Sequence, residues 1–120
     1  MTHAILVVDD DPGQRNLLAN VLEEQPFRIL QCESGTTATE VLDREEVDLM
    51  ITDVRMPGMS GLELLREARR RHPTLPVLLV TAYADVRDAV EAMRDGAVNY
   101  LEKPIDLDEL LDSVRHALGI

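Results

Sequence analysis

Apolar residues fall in short β-type runs at Ala4–Val8, Arg28–Cys32, Asp48–Thr52, Val77–Val80 and Asn99–Leu101, and stretches of helical period separate them. The first helix is predicted to open on Asp11 as cap, with Pro12 at its first position and Gln14 three residues after the cap, and to bury Leu17, Leu18, Val21 and Leu22. A second, weaker pattern follows Ser34-Gly35 and rests on Ala38, Val41 and Leu42. The third starts at Ser60 with Glu63 as reciprocal cap, carries Leu64, Leu65 and Ala68, and ends in Arg69-Arg70-Arg71-His72 before Pro73. Positive charge there suits the carbonyl end of a helix, so that basic run has a structural explanation. In the fourth, Val86, Ala89, Val90 and Met93 recur at i, i+3, i+4 and i+7, and Gly96 supplies a left-handed stop. The fifth shows Leu107, Leu110, Leu111 and Val114 after an Asp106/Glu109 capping box.

Five strands alternating with five helices imply right-handed crossovers and one parallel sheet covered on both faces, an α/β fold of the doubly wound kind. A chain of 120 residues suits a single domain, expected here to span 1–120. No apolar run is long enough to cross a bilayer, and the short run near Met1 gives way to Asp9-Asp10-Asp11 instead of a cleavage site, so neither membrane insertion nor a targeting segment is expected. The formal charge of −11 repels phosphate backbones, which argues against direct nucleic-acid binding. The lone Cys32 has no disulfide partner and is expected to be a small core residue, in keeping with a reducing, cytoplasmic setting.

In a sheet of this kind the working residues gather where strands end at their carboxyl edge. Asp9, Asp10 and Asp11 follow the first strand, Asp53 the third, Thr81 the fourth and Lys103 the fifth. Asp11 before Pro12 is accounted for by capping, but a cap needs only one carboxylate. Like charges brought together resist ionising together, so the remaining acids call for a positive partner. A hard divalent cation such as magnesium, with oxygen ligands, fits that need, and Lys103 adds a second positive charge.

Over essentially its whole length the chain resembles the receiver domains of two-component response regulators. The likeness is carried by Leu6-Val7-Val8-Asp9-Asp10-Asp11, Thr52-Asp53-Val54-Arg55-Met56-Pro57-Gly58-Met59-Ser60-Gly61, Val80-Thr81-Ala82-Tyr83 and Gly96-Ala97-Val98-Asn99-Tyr100-Leu101-Glu102-Lys103-Pro104. The resemblance implies a flavodoxin-like (βα)5 fold with strand order 2-1-3-4-5. It implies that Asp53 accepts a phosphoryl group from a sensor histidine kinase or a small acyl phosphate. Asp10 and Asp53 would ligate Mg2+, Asp9 would hold the ion's water shell, and Arg55 would offer its backbone carbonyl. Thr81 would bind a phosphoryl oxygen, Lys103 would pair with Asp53 and then with the phosphoryl group, and Tyr100 would swing inward when Thr81 engages. Pro104 falls at the family's cis position.

Such a domain catalyses its own phosphorylation and dephosphorylation without being a conventional enzyme. The details around Arg55, Tyr83 and Lys103-Pro104-Ile105-Asp106 are most similar to receivers of ATPase-linked transcription activators, so an output domain is expected in the same chain or in a partner protein. Arg55 and Tyr83 are expected to lie over the path of a hydrolytic water. A phosphorylation-dependent homodimer is expected through the fourth helix, fifth strand and fifth helix, with Arg87, Arg94, Lys103 and Arg115 facing Asp95, Glu102, Asp108 and Asp112. His3, His72 and His116 belong to no motif and are expected at the surface. Three alternatives stand beside this reading. A magnesium-dependent aspartyl phosphatase needs a second acid where Arg55 stands, a flavin or nucleotide module needs a glycine-rich loop where Asp9-Asp10-Asp11-Pro12 stands, and a phosphorylation-independent interaction module has no need of the complete acid and lysine set.

Overall fold

The computed structural model describes residues 2–120; Met1, the first residue of the expected domain, lies outside the described residues. Strands β1 (His3–Val8), β2 (Phe27–Cys32), β3 (Leu49–Asp53), β4 (Val77–Thr81) and β5 (Asn99–Glu102) alternate with helices α1 (Pro12–Glu23), α2 (Gly35–Arg44), α3 (Gly61–Arg71), α4 (Val86–Arg94) and α5 (Leu107–Leu118). All strand pairs are parallel, in the order β2-β1-β3-β4-β5. The chain thus reverses its direction of growth beside β1, and the carboxyl ends of β1, β3, β4 and β5 lie in a row.

The three central strands are buried on both faces, so they read as continuous apolar runs without alternation. Leu6, Val8, Met50 and Leu79 point to one side and pack against Ala38, Leu42, Leu64, Leu65 and Ala92 of α2, α3 and α4. Ile5, Val7, Ile51, Leu78 and Val80 point to the other and meet Leu22 of α1 with Leu110 and Val114 of α5. Asp48, which the pattern puts in a strand, lies just before β3, where its carboxylate accepts the Ala4 N–H at 2.8 Å.

Caps set the helix starts. Asp11 accepts the Gly13 and Gln14 N–H groups, and Ser60 with Glu63 forms the full reciprocal box, which also holds the Glu63 carboxyl below its usual range. Asp106 accepts the Glu109 N–H, and only that half of the expected box forms among the described residues. Gly96, at φ 95°, ends α4 in a conformation that an L side chain rarely adopts.

Several apolar positions that the period assigns to the core are at the surface. In α4, Val86 is 80 % exposed, Val90 and Met93 are also exposed, and Ala92 is the buried residue. Leu17 of α1 and Leu107 of α5 are exposed as well. A helical stripe predicts a buried face only if another element lies opposite it. The small Ala92 seats α4 on the sheet while its wider apolar stripe faces outward. His72 lies at the surface as expected, with its Nε2 3.3 Å from Asp43 Oδ1, beside the ion pair of Arg71 with the same carboxylate.

Candidate functional site

At the carboxyl edge Asp9 is 3 % exposed, Asp53 9 % and Thr81 fully buried, while Asp10 faces solvent. β1 delivers Asp9, β3 ends on Asp53, β4 ends on Thr81, and Lys103 directly follows β5. Two backbone contacts lock the row together. The Lys103 N–H donates to the Thr81 carbonyl at 2.7 Å, and the Val54 N–H donates to the Val80 carbonyl at 3.1 Å.

Lys103 Nζ stands between the two buried carboxylates, 3.0 Å from Asp9 Oδ2 and 3.1 Å from Asp53 Oδ2. Its third hydrogen-bond partner is Gln14 Oε1 of α1, so Gln14 serves the lysine instead of closing a capping box. Each remaining oxygen also has a backbone donor: the Asp11 N–H reaches Asp9 Oδ1 at 2.9 Å, and the Arg55 N–H reaches Asp53 Oδ1 at 3.3 Å. Buried carboxylates are stable as anions only with such partners, and no buried side-chain polar atom among the described residues lacks one.

The arrangement gathers oxygen donors around an ammonium. Asp9, Asp10 and Asp53 each place a carboxylate oxygen within 4.8 Å of the others, a donor set of hard oxygens that fits a divalent cation. The close approach of α3 reinforces the site, because a Cβ on Gly61 would come within 2.1 Å of the Asp53 carbonyl oxygen. The glycine is what lets the helix start against the end of β3.

Thr81 and Tyr100 lie on the α4 side. The Thr81 hydroxyl accepts the Tyr83 N–H at 3.1 Å. Tyr100 is half-buried, and its hydroxyl accepts the Asp85 N–H at 3.4 Å; burial, and then the Asp88 and Asp85 carboxylates, push its phenol above the ordinary range. The Lys103-Pro104 peptide is cis, as the motif implies. Lys103 and Asp95, expected to pair across a dimer, are engaged within the chain, Asp95 by Arg66 at 3.3 Å.

Three contacts stand out among those with no counterpart in the sequence reading. These are Gln14 on Lys103, Arg15 donating to the Asp9 carbonyl at 2.8 Å, and Arg55 reaching Asp88 at 3.6 Å. For the first two a signal existed: both residues sit in the first turns of the helix that begins beside Asp9, within side-chain reach of the strand end.

Residues 5–115 match the response regulator receiver domain family. The chain belongs to that family. It is 48 % identical over 120 residues to the response regulator protein FleR of Pseudomonas aeruginosa, covering 99 % of this chain and 25 % of FleR. It is 40 % identical over 115 residues to the DNA-binding transcriptional regulator NtrC of Escherichia coli, covering 96 % and 24 %. This receiver therefore spans about a quarter of the length of the curated relatives it matches. Among solved structures it is similar to the receiver domain of an HD domain-containing protein from Pseudomonas fluorescens, with TM-score 0.95, 31 % identity and coverage of 99 % and 96 %. It is similar also to NtrX of Brucella abortus, solved with ADP, with TM-score 0.92, 31 % identity and coverage of 99 % and 27 %. The receiver is a signalling switch of two-component systems, and none of its described helices is long and apolar enough to cross a membrane.

Proposed function

We propose that this receiver takes a phosphoryl group onto Asp53, with Lys103 and Thr81 as the groups that bind it. The single observation that carries the reading is the ammonium of Lys103 set between Asp9 and Asp53, 3.0 Å and 3.1 Å away. Asp53 Oδ1 has one long backbone donor, the Arg55 N–H at 3.3 Å, and the carboxylate supplies the attacking electron pair. Lys103 follows the new charge from carboxylate to phosphoryl oxygen, and the Thr81 hydroxyl, which gives its lone pair to the Tyr83 N–H, keeps its own proton to donate. Asp9, Asp10, Asp53 and the Arg55 backbone carbonyl are the residues that would hold magnesium. When bound, that ion supplies charge neutralisation for the entering phosphoryl oxygens.

The phosphodonor in this reading is a sensor histidine kinase. The groove between α1 and α5, lined by the apolar Leu17, Leu18, Ile105 and Leu107, opens on Lys103 and suits such a partner. The output is an effector domain of a transcription regulator, in the same chain or in a partner, supported by the names of FleR and NtrC. The outward stripe Val86, Val90 and Met93 of α4 gives that output, or a second receiver, an apolar surface to bind, and Thr81 with Tyr100 is the element that phosphate biases.

The test is incubation with a small acyl phosphate and magnesium, read by mass. Wild type gains one phosphoryl group. Asp53→Asn gains none, and excess chelator abolishes the gain. A labelled Asp53→Asn overturns the assignment. Sedimentation with and without a phosphoryl mimic reads assembly, which Thr81→Ala should uncouple from phosphorylation.

A further inference from the structure

We propose that Asp88, in the first turn of α4, is a positioning residue for phosphoryl transfer at Asp53, acting through the guanidinium of Arg55. The inference rests on the reading of Asp53 as phosphoacceptor and deepens it by naming a residue that regulates that site.

Arg55 touches both elements. Its backbone N–H donates to Asp53 Oδ1 at 3.3 Å, and its Nη2 lies 3.6 Å from Asp88 Oδ2. The first contact ties the start of the arginine to the phosphoacceptor, and the second sets where its charge rests. Asp53 is already paired with Lys103 at 3.1 Å, so the carboxylate open to Arg55 in the resting protein is Asp88. A phosphoryl group on Asp53 places three acceptor oxygens and a charge of about −1.5 to −2 where the carboxylate carried one negative charge. It then competes with Asp88 for a guanidinium whose fork suits phosphate.

Asp88 is placed to matter. Its side chain is 23 % exposed, and its charge is felt by the Tyr100 phenol, whose hydroxyl reaches the start of the same helix. Its loss does not uncap α4, because Asp85 accepts both the Arg87 and the Asp88 N–H groups. Asp88 is thus expendable for the helix start yet decides the position of Arg55.

In the step concerned, a carboxylate oxygen of Asp53 forms a bond to phosphorus. The bond from phosphorus to the donor's acyl oxygen breaks, and that oxygen leaves with the electron pair as a carboxylate. The donor arrives as an anion. A guanidinium neutralised by Asp88 attracts it weakly, whereas a released one raises the local positive charge at the entrance.

The experiment follows Asp53 phosphorylation of the 120-residue chain by acetyl phosphate with magnesium, read by mass, over a range of donor concentrations. Asp88→Asn is expected to lower the half-saturating donor concentration about two- to fivefold, the range of an exposed ion pair, with little change in the maximal rate. Asp88→Glu should restore wild-type behaviour. In an Arg55→Ala background, which keeps the backbone N–H and carbonyl, Asp88→Asn should change nothing. No gain in Asp88→Asn, or an equal gain without the Arg55 side chain, overturns the role of Asp88. Label on a residue other than Asp53 in wild type overturns the reading of the site itself, and the proposal with it.

Discussion

The Tyr100 hydroxyl accepts the backbone N–H of Asp85 at 3.4 Å, so the aromatic of β5 is bonded to the residue that caps α4. The bond is long and exposed, and a hydrogen bond of ordinary net worth contributes about 0.5–1.5 kcal/mol. Tyr100→Phe removes it without removing the ring. Amide exchange at the start of α4 is expected to rise about two- to tenfold while exchange in β1 and β3 stays unchanged. Equal exchange at Asp85 in both proteins would show that the bond holds nothing in place.

Gly61 is the position least able to accept a side chain, since its Cβ would meet the Asp53 carbonyl at 2.1 Å. Backbone cannot retreat as a flexible side chain can. Gly61→Ala is expected to cost about 1–3 kcal/mol in urea unfolding and to slow phosphorylation of Asp53 beyond what the stability loss explains. Wild-type stability in that variant would contradict the packing described.

Asp10 and Asp11 adjoin each other but differ in role. Asp10 is exposed within the acidic cluster, whereas Asp11 accepts the Gly13 and Gln14 N–H groups as cap of α1. Asp10→Ala should weaken magnesium binding at least tenfold in titration calorimetry with little effect on unfolding. Asp11→Ala should lower stability by about 1 kcal/mol and leave magnesium affinity within a factor of a few. Equal loss of affinity in both variants would overturn the division.

Cys32 closes β2 in the core, and burial, followed by the Glu33 carboxylate, pushes its thiol from 9.0 up to about 11. The folded thiol keeps its proton where the unfolded one has lost it. Stability from this group is therefore fully present below about pH 9 and lost as pH rises through about 11. At pH 9 alkylation of native protein is expected to run about fiftyfold slower than of the unfolded chain, since about half of the unfolded thiols but only about one in a hundred folded ones are thiolate. Cys32→Ser should flatten the alkaline limb of the stability curve.

The strands and the convergence of Asp9, Asp53, Thr81 and Lys103 were legible because a parallel sheet turns an order of runs into an order in space. What stayed hidden was which neighbour each charge chooses. Gln14 reads as a capping residue from its spacing, and only the position of β5 brings Lys103 to it. Val86, Val90 and Met93 carry a core-like period, but period reports a helix face and not what lies opposite. Asp88 belongs to none of the motifs read from the sequence, and its partner, Arg55, comes from a loop 33 positions earlier.

The place of β5 at the edge of the sheet also orders events during synthesis. β1 and β3 are neighbours and can pair, as Val8 does with Thr52, once the first half of the chain has emerged. Asp9 and Asp53 lie on those two strand ends, while Lys103 comes 50 residues after Asp53, so any chain that pairs β1 with β3 before β5 is made holds two anions without their cation. Arrival of β5 beside β4 both completes the sheet and brings the ammonium of Lys103 between Asp9 and Asp53.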